Sequence, residues 1–423
     1  MPSTAEEVAS QTAIAAGWRG LTRNVLLLSA VSLLTDLSSE MSLTFLPFFL
    51  ANVLGAKTAI IGIVEGVADS TASLTRLGSG LLSDRWRARK GLTIAGYALS
   101  SLSKPFLLLA SSWTTVLGVR FSDRVGKGVR TSPRDALLAA STPVESRGFS
   151  FGFHRASDTA GAFLGLLGVA LIVYLTEGTA PRLAAHTFRW LILVAIIPAL
   201  LAVAVLFFVR EVAPAPAAQS ADPAQQKAVF SRRFTIFLVA AGLFSLANSS
   251  DAFLLLRTQD LGLSVVWIAV LLAGFNLTYS LISVAAGGYS DRVGRPKVIL
   301  VGWAVYALTY LGFALARSSW QVWPLFALYA VYYGMAEGSA RALVADLIPD
   351  ERRGTAYGMY NTVVGITALP ASVLAGLAWQ GVAGWGGWGP SAPFYLGAAL
   401  STAAVIMFGL SMRGLPRPRG DEK

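Results

Sequence analysis

The chain has 423 residues, 54% of them hydrophobic and only 13% charged, with a mean hydropathy of +0.60. A soluble domain carries about a quarter of charged residues, so this composition excludes an ordinary soluble protein and points to a membrane one. The absence of cysteine excludes disulfide frameworks, thiolate metal sites and thiol catalysis.

Residues 1–24 lack the basic start and short apolar core of a signal peptide and read as a cytoplasmic N-terminal tail. Twelve spans follow, each long enough to cross a hydrocarbon core of ~30 Å. The hydropathy places them at about 25–50, 58–82, 91–111, 113–140, 149–176, 188–209, 234–258, 264–289, 297–317, 320–347, 354–381 and 392–412. An ionisable group at mid-membrane costs at least ~2.5–3.5 kcal/mol, so each one inside a span calls for a partner or water.

The first span carries Asp36 and Glu40 one turn apart, and the second carries Glu65, Asp69 and Arg76 on one face. The third sets Lys104 beside Pro105. The fourth is the most charged, with Arg120, Asp123, Arg124, Lys127, Arg130, Arg134 and Asp135 in a run of otherwise apolar and small residues. At 100° per residue, the basic groups and Asp123 fall within roughly a 120° arc, provided that Pro133 does not shift the phase. The fifth span adds His154, Arg155 and Asp158.

Between the sixth and seventh spans, residues 210–233 include the run E-V-A-P-A-P-A-A-Q-S-A-D-P-A-Q-Q-K, which reads as a flexible cytoplasmic linker. Polar insertions are sparser beyond it: Asn248 and Asp251, Asn276 and Tyr279, Glu337 and Arg341, and Asn361. Glu337 and Arg341 have the i, i+4 spacing of a helical ion pair. Trp320, Trp323, Trp379, Trp385 and Trp388 sit at span ends and are expected in an interfacial belt. Residues 413–423 form a second short tail.

The net charge of +11 is topological in origin. Basic residues gather in alternate loops, among them Arg85, Arg87, Arg89 and Lys90, then Arg292, Arg295 and Lys297, then Arg352 and Arg353. That bias places both termini in the cytoplasm and gives no ground for a nucleic-acid partner. The two halves also repeat. Gly80-L-L-S-Asp84-Arg85 recurs as Gly287-G-Y-S-Asp291-Arg292 at an offset of 207, and P143-V-E-S-R-G recurs as P349-D-E-R-R-G at an offset of 206. Two unrelated loops repeating at nearly one offset indicate a duplication, which is the organisation of many transporters. The expected fold is an all-α membrane protein of twelve transmembrane helices. Two pseudo-symmetric six-helix bundles, 25–209 and 234–412, flank the linker.

The loop Gly287-x-x-S-Asp291-Arg292-x-Gly294-Arg295-P-Lys297 resembles the signature loop of the major facilitator superfamily between its second and third helices, repeated between the eighth and ninth. In the first copy Arg87 stands where glycine is expected and Ala88 where a basic residue is expected. Arg120, Gly126 and Gly128 resemble the fourth-helix motif of proton-coupled exporters in that family, although Asp123 and Arg124 depart from it. The fifth span has Gly161 and Gly165 of the exporter pattern, with Ala162 in place of proline. The resemblance implies alternating access around a central cavity lined by the first, fourth, seventh and tenth helices.

On these residues the expected activity is secondary active transport, with proton-coupled export of a small organic molecule as the first mechanism. No cofactor is called for, the proton gradient being the driving force. Asp36, Glu40, Glu65, Asp69, Arg120, Asp123, Arg124 and Asp158 are the candidates for substrate or proton coupling. Like charges one turn apart repel, so a proton on one of two carboxylates relieves the pair. Gly80, Asp84, Arg85, Lys127, Arg130, Arg134, Asp135, Gly287, Asp291 and Arg292 are the candidates for a cytoplasmic gate. Asn248, Asp251, Asn276, Tyr279, Glu337, Arg341 and Asn361 are the candidates for the cavity wall of the second half. A second reading has Arg120 and Arg124 clamping an anionic metabolite for uptake or exchange. A lipid-moving or sensor protein on the same fold is a remote third. An enzyme is not expected, because no histidine pair, nucleophile elbow or ATP-binding loop is present. The expected setting is a multi-pass monomer in the cytoplasmic membrane of a bacterium, with a small-molecule substrate and the lipid bilayer as its partners.

Overall fold

The computed structural model describes residues 21–86, 89–143, 146–212, 231–348, 353–381 and 384–413. Gly80, Asp84, Arg85, Gly287, Asp291 and Arg292 are described in backbone only, so the side-chain roles expected of them lie outside the described residues. Most of the 210–233 linker and the two tails lie outside them as well.

The described chain is helical, in twelve successive spans. We number them α1 (Arg23–Ser42), α2 (Thr58–Trp86), α3 (Arg89–Ser103), α4 (Trp113–Ala140), α5 (Arg147–Glu177) and α6 (Ala185–Phe207). After the linker come α7 (Arg232–Ala247), α8 (Val265–Val293), α9 (Arg295–Leu315), α10 (Val322–Leu347), α11 (Arg353–Gln380) and α12 (Ala392–Arg413). Among the described residues nine spans are long and apolar enough to cross a membrane. The helices α2, α4 and α10, richer in charged or other polar side chains, are not among them.

Three spans read as continuous from hydropathy are interrupted. The first breaks after Ser42, restarts over Leu46–Phe48 with Pro47 in its first turn, and widens into a π-helical turn at Phe49–Val53. Proline lacks an N–H and is tolerated in the first turn of a helix, where that group would have no partner, which suits a restart here. The seventh breaks at Asn248–Asp251 and resumes as Ala252–Asp260. Its N-S-S-D sequence supplies side chains that compete for backbone hydrogen bonds, and Ser250 Oγ accepts from the Ala252 N–H at 3.3 Å. The two breaks lie about 206 residues apart, so the duplication extends to backbone irregularity. The third span winds into a 3₁₀ helix at Lys104–Leu109. Pro133, by contrast, sits inside an unbroken α4.

Contacts divide the chain into two units, one of residues 1–49 and 74–219, the other of residues 50–73 and 220–423. Residues 50–73, the first half of α2 among them, therefore belong with the C-terminal helices. In the first unit α1 packs on α5 and α6, and α3 on α4 and α6. In the second, α7 packs on α11 and α12, and α9 on α10 and α12. The two schemes are the same, which is the structural form of the repeat. Lipid tails are as apolar as leucine, so small residues at the crossings let helices approach. A Cβ at Gly96 would lie 2.6 Å from the Gly126 carbonyl, where α3 meets α4. One at Gly161 would overlap the Leu33 carbonyl, where α5 meets α1. In the second unit Gly62, Gly66, Gly365 and Gly376 play that part between α2 and α11.

Candidate functional site

In the first unit the crossings leave room for polar groups that the apolar faces enclose. On α1, Ser29, Ser32, Thr35, Ser38 and Ser42 form a buried stripe at helical spacing. Asp36 and Glu40 flank it, half-buried. Glu40 accepts from Thr44 Oγ1 at 2.6 Å. From the 3₁₀ helix that follows α3, the buried Lys104 ammonium donates to Ser38 Oγ at 2.7 Å and Ser39 Oγ at 3.2 Å. Ser38 Oγ in turn donates to the Ala195 carbonyl of α6 at 2.7 Å. The site is thus held from three helices by hydroxyls, a layer the charged residues do not announce.

The stripe on α4 follows the expected face. Arg120, Asp123 and Arg130 are buried, and Arg124, Lys127, Arg134 and Asp135 are half-buried. Asp123 accepts a short hydrogen bond from Ser100 of α3, and its other oxygen lies 4.0 Å from Arg124 Nε. Arg130 lays its guanidinium over the Tyr97 ring, 4.2 Å from the centroid. Arg134 Nε and Nη2 both donate to Asp135 Oδ1, at 3.0 and 2.9 Å. Arg134 Nη1 reaches Ser32 Oγ at 3.4 Å and the Tyr97 hydroxyl at 3.5 Å.

Asp158 of α5 accepts a short hydrogen bond from Ser32 and lies 3.8 Å from Arg155 Nη1. His154 and Asp158, four residues apart on α5, make no hydrogen bond. Their approach is 3.9 Å, and both ring nitrogens of the buried His154 lack a hydrogen-bond partner. The i, i+4 spacing brings the two together, but the Ser32 hydroxyl holds the carboxylate.

The carboxylates of α2 belong to the second unit. Glu65 is buried and Asp69 half-buried, and both lie within electrostatic range of Asp251 at the α7 break. Asp251 accepts from the Tyr329 hydroxyl at 2.6 Å. Glu337 accepts from Arg341 Nη2 at 2.9 Å and from the Tyr279 hydroxyl at 3.0 Å. Asn248 Nδ2 donates to the Tyr332 hydroxyl at 3.3 Å. Asn276 turns back to its own helix and donates to the Leu272 carbonyl at 3.2 Å, while Asn361 is half-buried on α11.

An aromatic wall joins these groups. Phe275 stacks near Tyr329 at 5.5 Å, and Tyr333 meets Phe275, Tyr279 and Tyr329 edge-on at 5.8, 5.7 and 5.3 Å. Tyr329, Tyr332 and Tyr333 carry the signal in sequence, at i, i+3 and i+4 on α10, yet tyrosine is ordinary enough in a span to pass as core. Trp379 departs from the interfacial belt: it is buried against Phe253 and Phe394, whereas Trp320, Trp323, Trp385 and Trp388 are exposed. Among the described residues no cluster of acidic and histidine side chains could hold a metal.

Comparison with known proteins gives this architecture its relatives. A family model described as Major Facilitator Superfamily matches residues 28–372 and 252–423. An uncharacterized MFS-type transporter of Methanocaldococcus jannaschii is 35% identical over 376 residues, covering 86% of this chain and 90% of the relative. The quinolone resistance protein NorA of Staphylococcus aureus is 25% identical over 185 residues, 43% of this chain and 44% of that one. Among solved structures, that of the nucleoside transporter NupG aligns with a TM-score of 0.74 at 14% identity, covering 93% of this chain and 100% of that one.

Proposed function

Given that the chain belongs to the major facilitator superfamily and is a multi-pass membrane transporter rather than an enzyme, we propose that it couples protons to the export of a small organic molecule. The observation that carries this reading is the pair Asp36 and Glu40 on α1, in one unit with the cations of α4. Asp36 feels Lys127, Arg130 and Arg134 but makes no hydrogen bond among the described residues, so it can take and release a proton without breaking one. Glu40 keeps the hydroxyl of Thr44 as its partner in either state. The relative named for quinolone resistance supports the outward direction, since export of a drug confers resistance to it. The protein works as a monomer in a bacterial inner membrane, both termini cytoplasmic, with the proton gradient in place of any cofactor.

The test is flux in vesicles holding the purified protein, with an imposed pH gradient and a panel of labelled organic cations, anions and neutral solutes. The gradient drives accumulation of at least one of them, and Asp36→Asn keeps downhill exchange while losing the accumulation. Flux that ignores the gradient, in both proteins, removes proton coupling.

A second reading, uptake or exchange of an anionic metabolite, is favoured by one observation. Lys127 makes no side-chain hydrogen bond among the described residues, and the buried Nη1 of Arg130 has no partner. Donors of that kind suit a carboxylate or phosphate.

A further inference from the structure

Several cations of the first unit have a defined partner. Lys104 is bound by two serine hydroxyls, Arg134 by Asp135, and Arg155 lies beside Asp158. Lys127 and Arg130, one turn apart on one face of α4, make no side-chain hydrogen bond among the described residues. Arg130 is 6% exposed and sets its guanidinium 4.2 Å from the Tyr97 ring centroid, a contact that engages the charge without an acceptor for its N–H groups. Its buried Nη1 finds no acceptor. An unsatisfied buried donor costs about 1–3 kcal/mol, more when charged, so it persists where something else satisfies it.

The group opposite is Asp36 of α1, which lies in the field of both cations. Even so, no ion pair within 4.0 Å joins Asp36 to either, among the described residues. The two cations and the carboxylate therefore act on one another without direct contact. Other charges face Asp36 as well: Asp158 from α5, Arg134 from α4, Lys104 from the 3₁₀ helix after α3 and Glu40 on its own helix. On the α6 side, α1 meets the Ala195 carbonyl through Ser38.

We propose that Lys127 and Arg130, backed by Tyr97, form a binding site for the oxyanion group of a ligand, a carboxylate, phosphate or sulfate, with Asp36 as the internal carboxylate that competes for the same cations. This rests on the anionic-substrate reading and assigns α4 residues expected at a gate to ligand binding. The competition fixes a sign. Protonating Asp36 removes the internal anion and strengthens the hold of Lys127 and Arg130 on the external one. By linkage, anion binding favours the protonated Asp36 to the same degree. Proton and anion bind together, so a transported anion travels in the direction of the proton.

The experiment is thermal unfolding of the full-length protein in detergent, followed by tryptophan fluorescence, with sodium sulfate titrated against sodium chloride at constant ionic strength. Sulfate keeps its charge between about pH 6 and 8, so any pH dependence belongs to the protein. The expected result is a saturable sulfate stabilisation that tightens as pH falls. Arg130→Gln and Lys127→Gln each weaken it about tenfold, and Asp36→Asn leaves it tight at every pH. Retention of the full sulfate effect in both cation variants would reduce it to general salting and overturn the site, as would its absence from the wild type. If Arg130→Gln does not fold, Lys127→Gln alone decides. Acetate and inorganic phosphate in the same titration separate carboxylate from phosphate ligands. A sulfate site with this profile in a protein that moves no anion in vesicles sinks the anionic-substrate reading and leaves the site standing. Anion flux with unaltered sulfate binding in both variants does the reverse.

Discussion

Ser32 illustrates how much one small side chain decides at the residue scale. Its hydroxyl binds Asp158 and also receives Arg134, tying α1 to α5 and α4 at one point. It is buried, so removing it strands a charged acceptor. Ser32→Ala is expected to cost about 1–3 kcal/mol, read as a lower unfolding temperature in detergent. In an Asp158→Asn background the same substitution should cost clearly less, because a neutral amide needs the hydroxyl less. Equal costs in the two backgrounds would show that the Ser32–Asp158 contact carries no coupling. The charged residues of this cluster were legible from sequence, since any ionisable group in an apolar span stands out. Their hydroxyl partners were not, because serine in a span is compatible with lipid, core or site.

Helix crossings set the next scale. Glycines at close approaches and glycines in open space are indistinguishable in the sequence, and the structure separates them. Gly161→Ala would drive a methyl group into the Leu33 carbonyl, a backbone atom that cannot turn aside. Overpacking of that kind costs about 1–3 kcal/mol. On the exposed side of α4, a methyl group added at Gly118 would meet nothing within 4 Å. Gly118→Ala should therefore be neutral or stabilise by up to about 1 kcal/mol through helix propensity. Paired unfolding measurements check both, and a loss at Gly118 as large as that at Gly161 would deny the α1–α5 crossing its role. The breaks in the first and seventh spans belong to this scale as well. Hydropathy is blind to them, since a broken helix and a continuous one have the same apolar content.

Across the whole molecule, the unexpected feature is that residues 50–73 pack with the C-terminal helices. Thr58 Oγ1 donates to the Gly376 carbonyl at 3.0 Å and Ser70 Oγ to that of Gly365 at 2.6 Å. A chain cut in the linker would divide the second unit from a segment it packs against. Residues 231–423 expressed alone should be degraded, and co-expression of residues 1–230 should restore them. An immunoblot of the membrane fraction reads this directly. Accumulation of the lone fragment to the co-expressed level would show that the 50–73 packing is dispensable.

The membrane character, the helical fold, the duplication and the charged face of α4 all follow from the order of residues along the chain. Each rests on a local or periodic property, namely apolar length, recurrence at a fixed offset or spacing on one helix, and none needs a partner to be seen. Packing decided the rest: which carboxylates share a unit, that Ser32 and not His154 binds Asp158, that Trp379 is core, and that Tyr329 and Tyr333 build a wall. Those outcomes depend on atoms brought together from distant parts of the chain. Burial and hydrogen-bond competition settle them only once the helices have met.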